Sequence, residues 1–94
     1  MPQVFKFGSY KVYFWLNEGE PLEPVHVHVS QGKPNANSTK IWISANGKCS
    51  VANNKSKIPS KTLDNIVRLI ETQYMEIFSL WQETFGKETL KFYC

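Results

Sequence analysis

The chain opens with two short runs rich in β-branched and aromatic residues, at 4–7 and 10–15. The two runs flank Gly8 and Ser9, and a two-residue connection that begins with glycine suits a type II′ hairpin turn. Aromatic residues alternate onto both faces of the second run. The pattern predicts a tight β-hairpin in a sheet with one buried face and a second face that is partly covered.

Strict alternation of apolar and polar residues returns at 25–30, after a polar loop at 17–24 that contains a glycine and two prolines. On a β-strand, residues two apart share a face, so three valines point one way while His26, His28 and Ser30 point the other. This segment is therefore predicted to be a strand that carries the only two histidines of the chain on one face.

Two further runs, at 39–44 and 48–51, flank Asn46 and Gly47. Asn-Gly between apolar runs is the strongest short hairpin signal. We therefore predict a short antiparallel sheet of about five strands over residues 3–52.

The second half of the chain changes to a helical period. Pro59 and Ser60 indicate a helix start with Ser60 as the N-cap, and Gly86 is a natural stop. The apolar stripe at helical spacing comprises Leu63, Ile66, Val67, Ile70, Tyr74, Ile77, Phe78, Trp81 and Phe85. The sequence predicts an α+β fold in which one long amphipathic helix, at about 60–85, packs on the sheet and is followed by a short tail at 87–94.

Size and composition place the chain in a broad class. Its 94 residues indicate a single domain over 1–94. The only cysteines, Cys49 and Cys94, are too few for a disulfide framework. We expect no signal peptide, since the start has no charged segment followed by an apolar run. No apolar stretch approaches the roughly 20 residues of a membrane span, so we expect a cytoplasmic protein without membrane contact.

Positive charge is concentrated in the middle of the chain. The net charge is only +3, but residues 33–68 carry seven Lys or Arg against Asp64 alone. An aromatic–basic pattern in this segment could stack a base and contact phosphate. The nucleic-acid-binding candidates are Lys40, Trp42, Lys48, Lys55 and Lys57. A merely solvated surface is the ordinary alternative for such a charge run.

The histidine pair is the one constellation that suggests chemistry. His26 and His28 on one strand face could act as an acid–base pair, because imidazole titrates near neutrality. A zinc site normally takes three or four protein ligands, so two histidines predict no metal site, and we expect no cofactor. A structural role, with both rings hydrogen-bonded, is the competing interpretation.

Three segments of the sequence resemble the domain-of-unknown-function family 4160, small proteins of bacteria and their phages. They read MPxVFxFGxYxVYF at 1–14, NEGEPxEPxHVHV at 17–29 and LWxExFG at 80–86. The resemblance covers roughly residues 1–86. It implies an α+β fold, no established activity and an arrangement in which members are encoded beside a second small protein, as in toxin–antitoxin pairs. The resemblance marks as functional surface Glu18, Gly19, Pro24, His26 and His28.

The leading functional hypothesis is therefore a small cytosolic interaction protein, one half of a toxin–antitoxin-like or phage–host conflict module. Its predicted partner-binding residues are Glu18, Glu20, Glu23, His26 and His28. Two alternatives stay open. One is a small nuclease-like or nucleotide-acting enzyme that uses His26 and His28 as acid and base. The other is a non-catalytic nucleic-acid-binding module that uses the basic middle segment. The sequence leaves the oligomeric state undetermined.

Overall fold

A computed structural model describes residues 3–14, 24–33, 37–86 and 90–92. Within them the chain forms a five-stranded sheet followed by two helices. The elements are β1 (Gln3–Phe7), β2 (Tyr10–Tyr13), β3 (His26–Gln31), β4 (Thr39–Ile43), β5 (Cys49–Asn54), α1 (Ser60–Thr72) and α2 (Tyr74–Phe85). The strands are antiparallel and lie in sequence order, so β3 is the central strand. The predicted α+β class and five-stranded antiparallel sheet are confirmed.

Both hairpin turns depend on glycine. Gly8 between β1 and β2 has φ +59°, the positive value that a type II′ turn requires at its first central position. Gly47 between β4 and β5 has φ +84°, and its N–H donates to the carbonyl of Ser44 at 2.9 Å. That second turn is a type I turn followed by a left-handed glycine, the usual three-residue hairpin loop.

One face of the sheet packs against the helices and forms the hydrophobic core. Val12, Val27, Val29 and Ile41 are neighbours across β2, β3 and β4 on this face, and all four are fully buried. The helices contribute to the same cluster through Ile66, Ile70, Ile77, Phe78 and Trp81. The apolar face of the sheet and the apolar stripe of the helices thus pack together and bury each other.

The prediction of one long helix is wrong. The helical segment is divided at Gln73, whose φ of −119° and ψ of +29° lie outside the helical range. The Gln73 N–H still donates to the Leu69 carbonyl at 3.1 Å, and its carbonyl accepts from Ile77 at 3.4 Å. Because this i to i−4 register continues through the break, the apolar stripe stays in phase, and the sequence period conceals the division.

The helix begins at residue 60 as predicted, but the predicted N-cap is wrong by one residue. Ser60 is the first helical residue, Pro59 occupies the N-cap position, and no side chain caps the first turn. The carbonyl of Pro59 accepts from the Leu63 N–H at 2.9 Å. The connector before it is fixed by Asn54, whose amide side chain bonds both the N–H and the carbonyl of Ile58 at 3.0 Å.

The break at Gln73 lies where the helices meet the β4–β5 hairpin. Just before it, the carboxylate of Glu71 accepts a hydrogen bond from the Cys49 N–H at 2.9 Å. Just after it, the ring of Tyr74 lies against Gly47, so closely that a Cβ atom there would overlap the ring. These two contacts fix the junction of α1 and α2 on the sheet.

Trp81 fills the far end of the core. It is fully buried and makes an edge-to-face contact with Phe14, with ring centroids 5.1 Å apart. A tryptophan on the apolar stripe of the helix is predicted to be buried against the aromatic residues of the first hairpin, Phe5, Phe7 or Phe14, and the contact with Phe14 confirms this. Phe85 contacts both of these rings in tilted arrangements, with its ring centroid 4.5 Å from Trp81 and 6.1 Å from Phe14. Beyond α2, the Lys91 carbonyl accepts from the Val25 N–H at 2.7 Å, which ties the tail to the start of β3.

Neither helix in the described part of the chain is long and apolar enough to cross a membrane.

We predict that Gly47→Ala destabilises the protein by about 2–4 kcal/mol. The substitution combines the strain of a side chain at positive φ with overpacking against Tyr74. The matched control is Gly32→Ala, where φ is +74° but no atom lies within 4 Å of the new Cβ. It should cost only the strain, about 1–2 kcal/mol. Urea unfolding measures both, and equal losses would contradict the packing of Tyr74 on Gly47.

Candidate functional site

By strand alternation the two histidines lie on the face of the sheet that does not carry the core valines, which we call the second face, and Trp81 of α2 also contacts His26 there. Its central residues are set by strand register: His28 lies between Tyr13 of β2 and Lys40 of β4, and His26 lies opposite Trp42. The predicted pairing of both imidazoles on one face is therefore what the backbone register requires. Their ring centroids are 5.0 Å apart.

His26 is enclosed by other rings. Only 1% of its surface is exposed, and Trp42, Trp81 and His28 surround it in edge-to-face contacts, with centroid distances of 5.0 to 5.6 Å. Its Nδ1–H donates to the carbonyl of Pro24 at 2.8 Å, which fixes the tautomer because a carbonyl can only accept. His26 thereby holds the residue that precedes the strand.

His28 is half-buried and is held by its neighbours on adjacent strands. Its Nδ1 shares a hydrogen bond with the hydroxyl of Ser38 at 3.0 Å, and its ring stacks on Tyr13 with centroids 5.8 Å apart. Tyr13 in turn bonds the Ser30 hydroxyl at 2.7 Å, and both of these residues are fully buried. The second face thus has a polar interior of its own, as the aromatic residues on both faces predicted.

This geometry gives the histidines a structural role more readily than a catalytic one. A general acid or base must reach a substrate proton within about 3 Å. The rings of His26 and His28 are instead occupied by Pro24, Ser38 and aromatic neighbours. In the part of the chain that the structure describes, no group of three His, Cys, Asp or Glu side chains converges as metal ligands would.

The basic candidates fall into separate places. Lys40 and Trp42 are half-buried neighbours on the second face, and the Lys40 ammonium lies 4.2 Å from the centre of the Trp42 ring. Lys48 is exposed in the β4–β5 turn, whereas Lys55 and Lys57 are exposed beyond the other end of β5. Six strand residues, about 20 Å, separate these ends. The five residues therefore form no single patch.

Three of the predicted partner-binding residues, Glu18, Glu20 and Glu23, lie outside the described residues, as does Gly19. Pro24, at the end of that segment, is placed by the His26 hydrogen bond.

Charge in the described residues is divided between the two layers. The acidic side chains all lie on the helices: Asp64, Glu71, Glu76 and Glu83. The basic side chains of the sheet layer are Lys6, Lys11, Lys33, Lys40, Lys48, Lys55 and Lys57. The helical layer adds Lys61 and Arg68, and Lys91 lies in the tail after α2. The sheet side is therefore positive and the helical side is mixed with an excess of negative charge.

Cys49 faces the junction of α1 and α2, and its thiol is not activated as a nucleophile. Burial, and then the nearby carboxylate of Glu71, raise the pKa of its thiol to about 12. A nucleophilic cysteine needs a lowered pKa, so this thiol has the opposite environment.

We predict that Cys49 resists alkylation in the folded protein. With a pKa of about 12, roughly one thiol in ten thousand is ionised at pH 8, against about a quarter in the unfolded chain. Because a thiolate of higher pKa is also more nucleophilic, part of this difference is offset, and in a Cys94→Ser background iodoacetamide should modify native Cys49 roughly 100-fold more slowly than the urea-unfolded chain. Glu71→Gln should accelerate the reaction only slightly, since burial is the larger cause. Equal native and unfolded rates would show that the thiol is accessible and ionised.

Sequence reasoning missed the residues that pair with the histidines. Ser38 came from a predicted turn, and the bond between Tyr13 and Ser30 depends on the register of β2 with β3. Alternation alone places Tyr13 on a face but does not say which residue lies opposite. It also missed a groove between β1 and α2, since that depends on how the helix crosses the sheet.

The fold and the polar second face define a small α+β domain, an antiparallel meander covered on one side by two helices. Residues 9–82 match the family model described as Domain of unknown function (DUF4160). The chain belongs to this family, which confirms the resemblance of its sequence. No curated protein and no solved structure matches the chain.

Proposed function

We propose that this protein acts in the cytoplasm by binding a macromolecular partner, as one component of a toxin–antitoxin-like or phage–host conflict pair. The observation that carries the proposal is the enclosure of His26, which is 1% exposed and hydrogen-bonded to Pro24. One member of the candidate acid–base pair is thereby withdrawn from solvent. Charged side chains and the free sheet edge remain at the surface, and these groups are suited to binding a partner.

The segment from Glu18 to His28 is the proposed contact region, and the buried histidine supports it indirectly. His26 holds the Pro24 carbonyl, the Val25 N–H donates to Lys91, and the Val25 carbonyl accepts from Ile43 at 3.1 Å. The end of the segment is thus anchored on three sides. An anchored end reduces the conformational entropy that the segment loses on binding. His26 is in this view a positioning residue, and the glutamates make the contact.

We predict that replacing Glu18, Glu20 and Glu23 together by Gln abolishes capture of the partner. Tagged wild-type protein purified from the native host should retain a stoichiometric macromolecule, identified by mass spectrometry. The variant should lose it while its thermal unfolding is unchanged, because Gln keeps the size and removes the charge. His26→Ala is unsuitable here, since it would empty a buried site.

The matched control is Asp64→Asn, an exposed carboxylate on α1. It should retain the partner. Retention by the loop variant, or absence of any captured partner with wild type, would contradict the proposed function.

A second candidate function is binding of single-stranded nucleic acid, favoured by the Lys40 ammonium over the Trp42 ring. An aromatic ring beside a cation offers stacking for a base and charge for a phosphate. The positive charge of the sheet layer would add a long-range attraction. This alternative uses Lys40 and Trp42 of β4 on the second face.

We predict, for this second candidate, that fluorescence anisotropy detects binding of a labelled 12-nucleotide RNA at low salt and that the affinity falls steeply as salt rises. Trp42→Ala should weaken binding about tenfold, the worth of one stacked base. Lys40→Gln should weaken it less. Lys61→Gln removes the same charge from exposed α1 and should change little. No binding at low salt, or equal effects of Lys40 and Lys61, would rule out this site.

A further inference from the structure

The first strand of the sheet has one free edge. β1 pairs with β2 alone, and in the described residues nothing pairs with its other side. In a two-residue hairpin the residues that flank the turn exchange hydrogen bonds, and the pattern then alternates back along β1 as far as Phe5, beyond which the register shifts. Phe7 and Phe5 therefore bond to β2, whereas the N–H and carbonyl of Lys6 point outward. Such an edge can accept a further strand.

A groove runs beside this edge on the helix side of the sheet. It is lined by Val4 and Phe5 of β1 and by Glu76, Ser79, Leu80 and Glu83 of α2, and its volume is about 320 Å³. The four α2 residues are spaced i, i+3, i+4 and i+7, so they form one stripe of the helix. Val4, Phe5 and Leu80 are half-buried and give the groove an apolar floor.

Two carboxylates flank that apolar floor. Glu76 and Glu83 are both exposed, and neither forms an ion pair with any residue that the structure describes. Seven residues separate them along the helix, about 10.5 Å. On an added strand, side chains on the groove side recur every two residues, about 6.8 Å apart. Residues i and i+4 of such a strand lie about 13.6 Å apart. Because lysine and arginine side chains are long, basic residues at these two positions can still reach two carboxylates that are about 10.5 Å apart.

We propose that the free edge of β1 and its groove bind an extended segment of a partner protein with the pattern basic–x–apolar–x–basic. The segment adds a sixth strand through the outward groups of Lys6, its apolar residue packs on Val4, Phe5 and Leu80, and its basic residues pair with Glu76 and Glu83. This inference rests on the proposed function, since both make the protein a partner-binding module, but it places a contact on a different surface.

The charges argue for a different chain over a second copy. If two copies joined through β1, the twofold axis would bring both α2 helices, and four carboxylates, to the same junction. Like charges placed across an interface cost several kcal/mol. The Lys6 side chain, on the other face of β1, also opposes pairing of identical edges. The basic side chains of a different partner would instead be attracted by the same carboxylates.

The test selects random 12-residue peptides displayed on phage against the full chain. Enriched peptides should carry the basic–x–apolar–x–basic pattern and bind the wild type in anisotropy measurements. Glu76→Lys combined with Glu83→Lys should weaken binding about tenfold or more, by reversing the charge that the partner meets. Asp64→Asn should leave binding unchanged. Enriched peptides without the pattern, or no enrichment, would overturn the proposal.

A second variant tests the edge itself. Lys6→Pro removes an outward N–H without removing a bond to β2, and edge strands tolerate proline. It should also weaken peptide binding about tenfold with a near-native circular dichroism spectrum. If binding survives Lys6→Pro, the peptide does not add to the sheet. Sedimentation of the wild type as a dimer that the Glu76→Lys, Glu83→Lys variant abolishes would assign the surface to a second copy instead.

The two proposals fail in different ways. In purification from the native host, loss of the partner with the loop variant but not with Glu76→Lys, Glu83→Lys would retain the proposed function and reject the groove as its site. If the groove variant alone loses the partner, the groove is supported and the segment from Glu18 to His28 is rejected as the contact.

Discussion

The fold depends on a central strand that is buried on both faces. Val27 and Val29 of β3 are fully buried against the helices, while His26 and Ser30 are buried on the second face. When a strand is buried on both faces, each of its polar groups needs a hydrogen-bond partner, because an unpaired buried group costs about 1–3 kcal/mol. On the second face, Ser30 bonds Tyr13, His26 bonds the Pro24 carbonyl, and Nδ1 of His28 bonds Ser38.

Because of this constraint, the proposed contact surfaces lie away from the centre of the sheet. The centre of the second face is filled by Tyr13 and His26, so it offers no open platform. The contact surfaces proposed above are the segment before β3, the Lys40–Trp42 pair at β4, and the edge of β1 beside α2. They differ in charge, because acidic residues lie on the helices and lysines on the sheet. Each surface therefore selects a different kind of partner.

Part of the candidate site could be predicted from the sequence. The alternation at 25–30 correctly placed both histidines on one face, since the period of a strand is fixed by its backbone. The burial of His26 could not be predicted, because it depends on Trp81 from a helix more than fifty residues away. The groove could not be predicted either. Val4 and Leu80 have the sequence pattern of core residues, and only the packing of α2 beside β1 makes them line a groove.

The sequence by itself determined the order of the elements, the hairpin turns at Gly8 and Gly47, and the apolar faces of strands and helices. These follow from local rules of backbone geometry and spacing. Only the tertiary structure decided the break at Gln73, because the helical register passes through it unchanged and leaves the period of the stripe intact. The contacts that accompany it, Glu71 with Cys49 and Tyr74 with Gly47, join residues more than twenty positions apart, and no local pattern encodes such a distance.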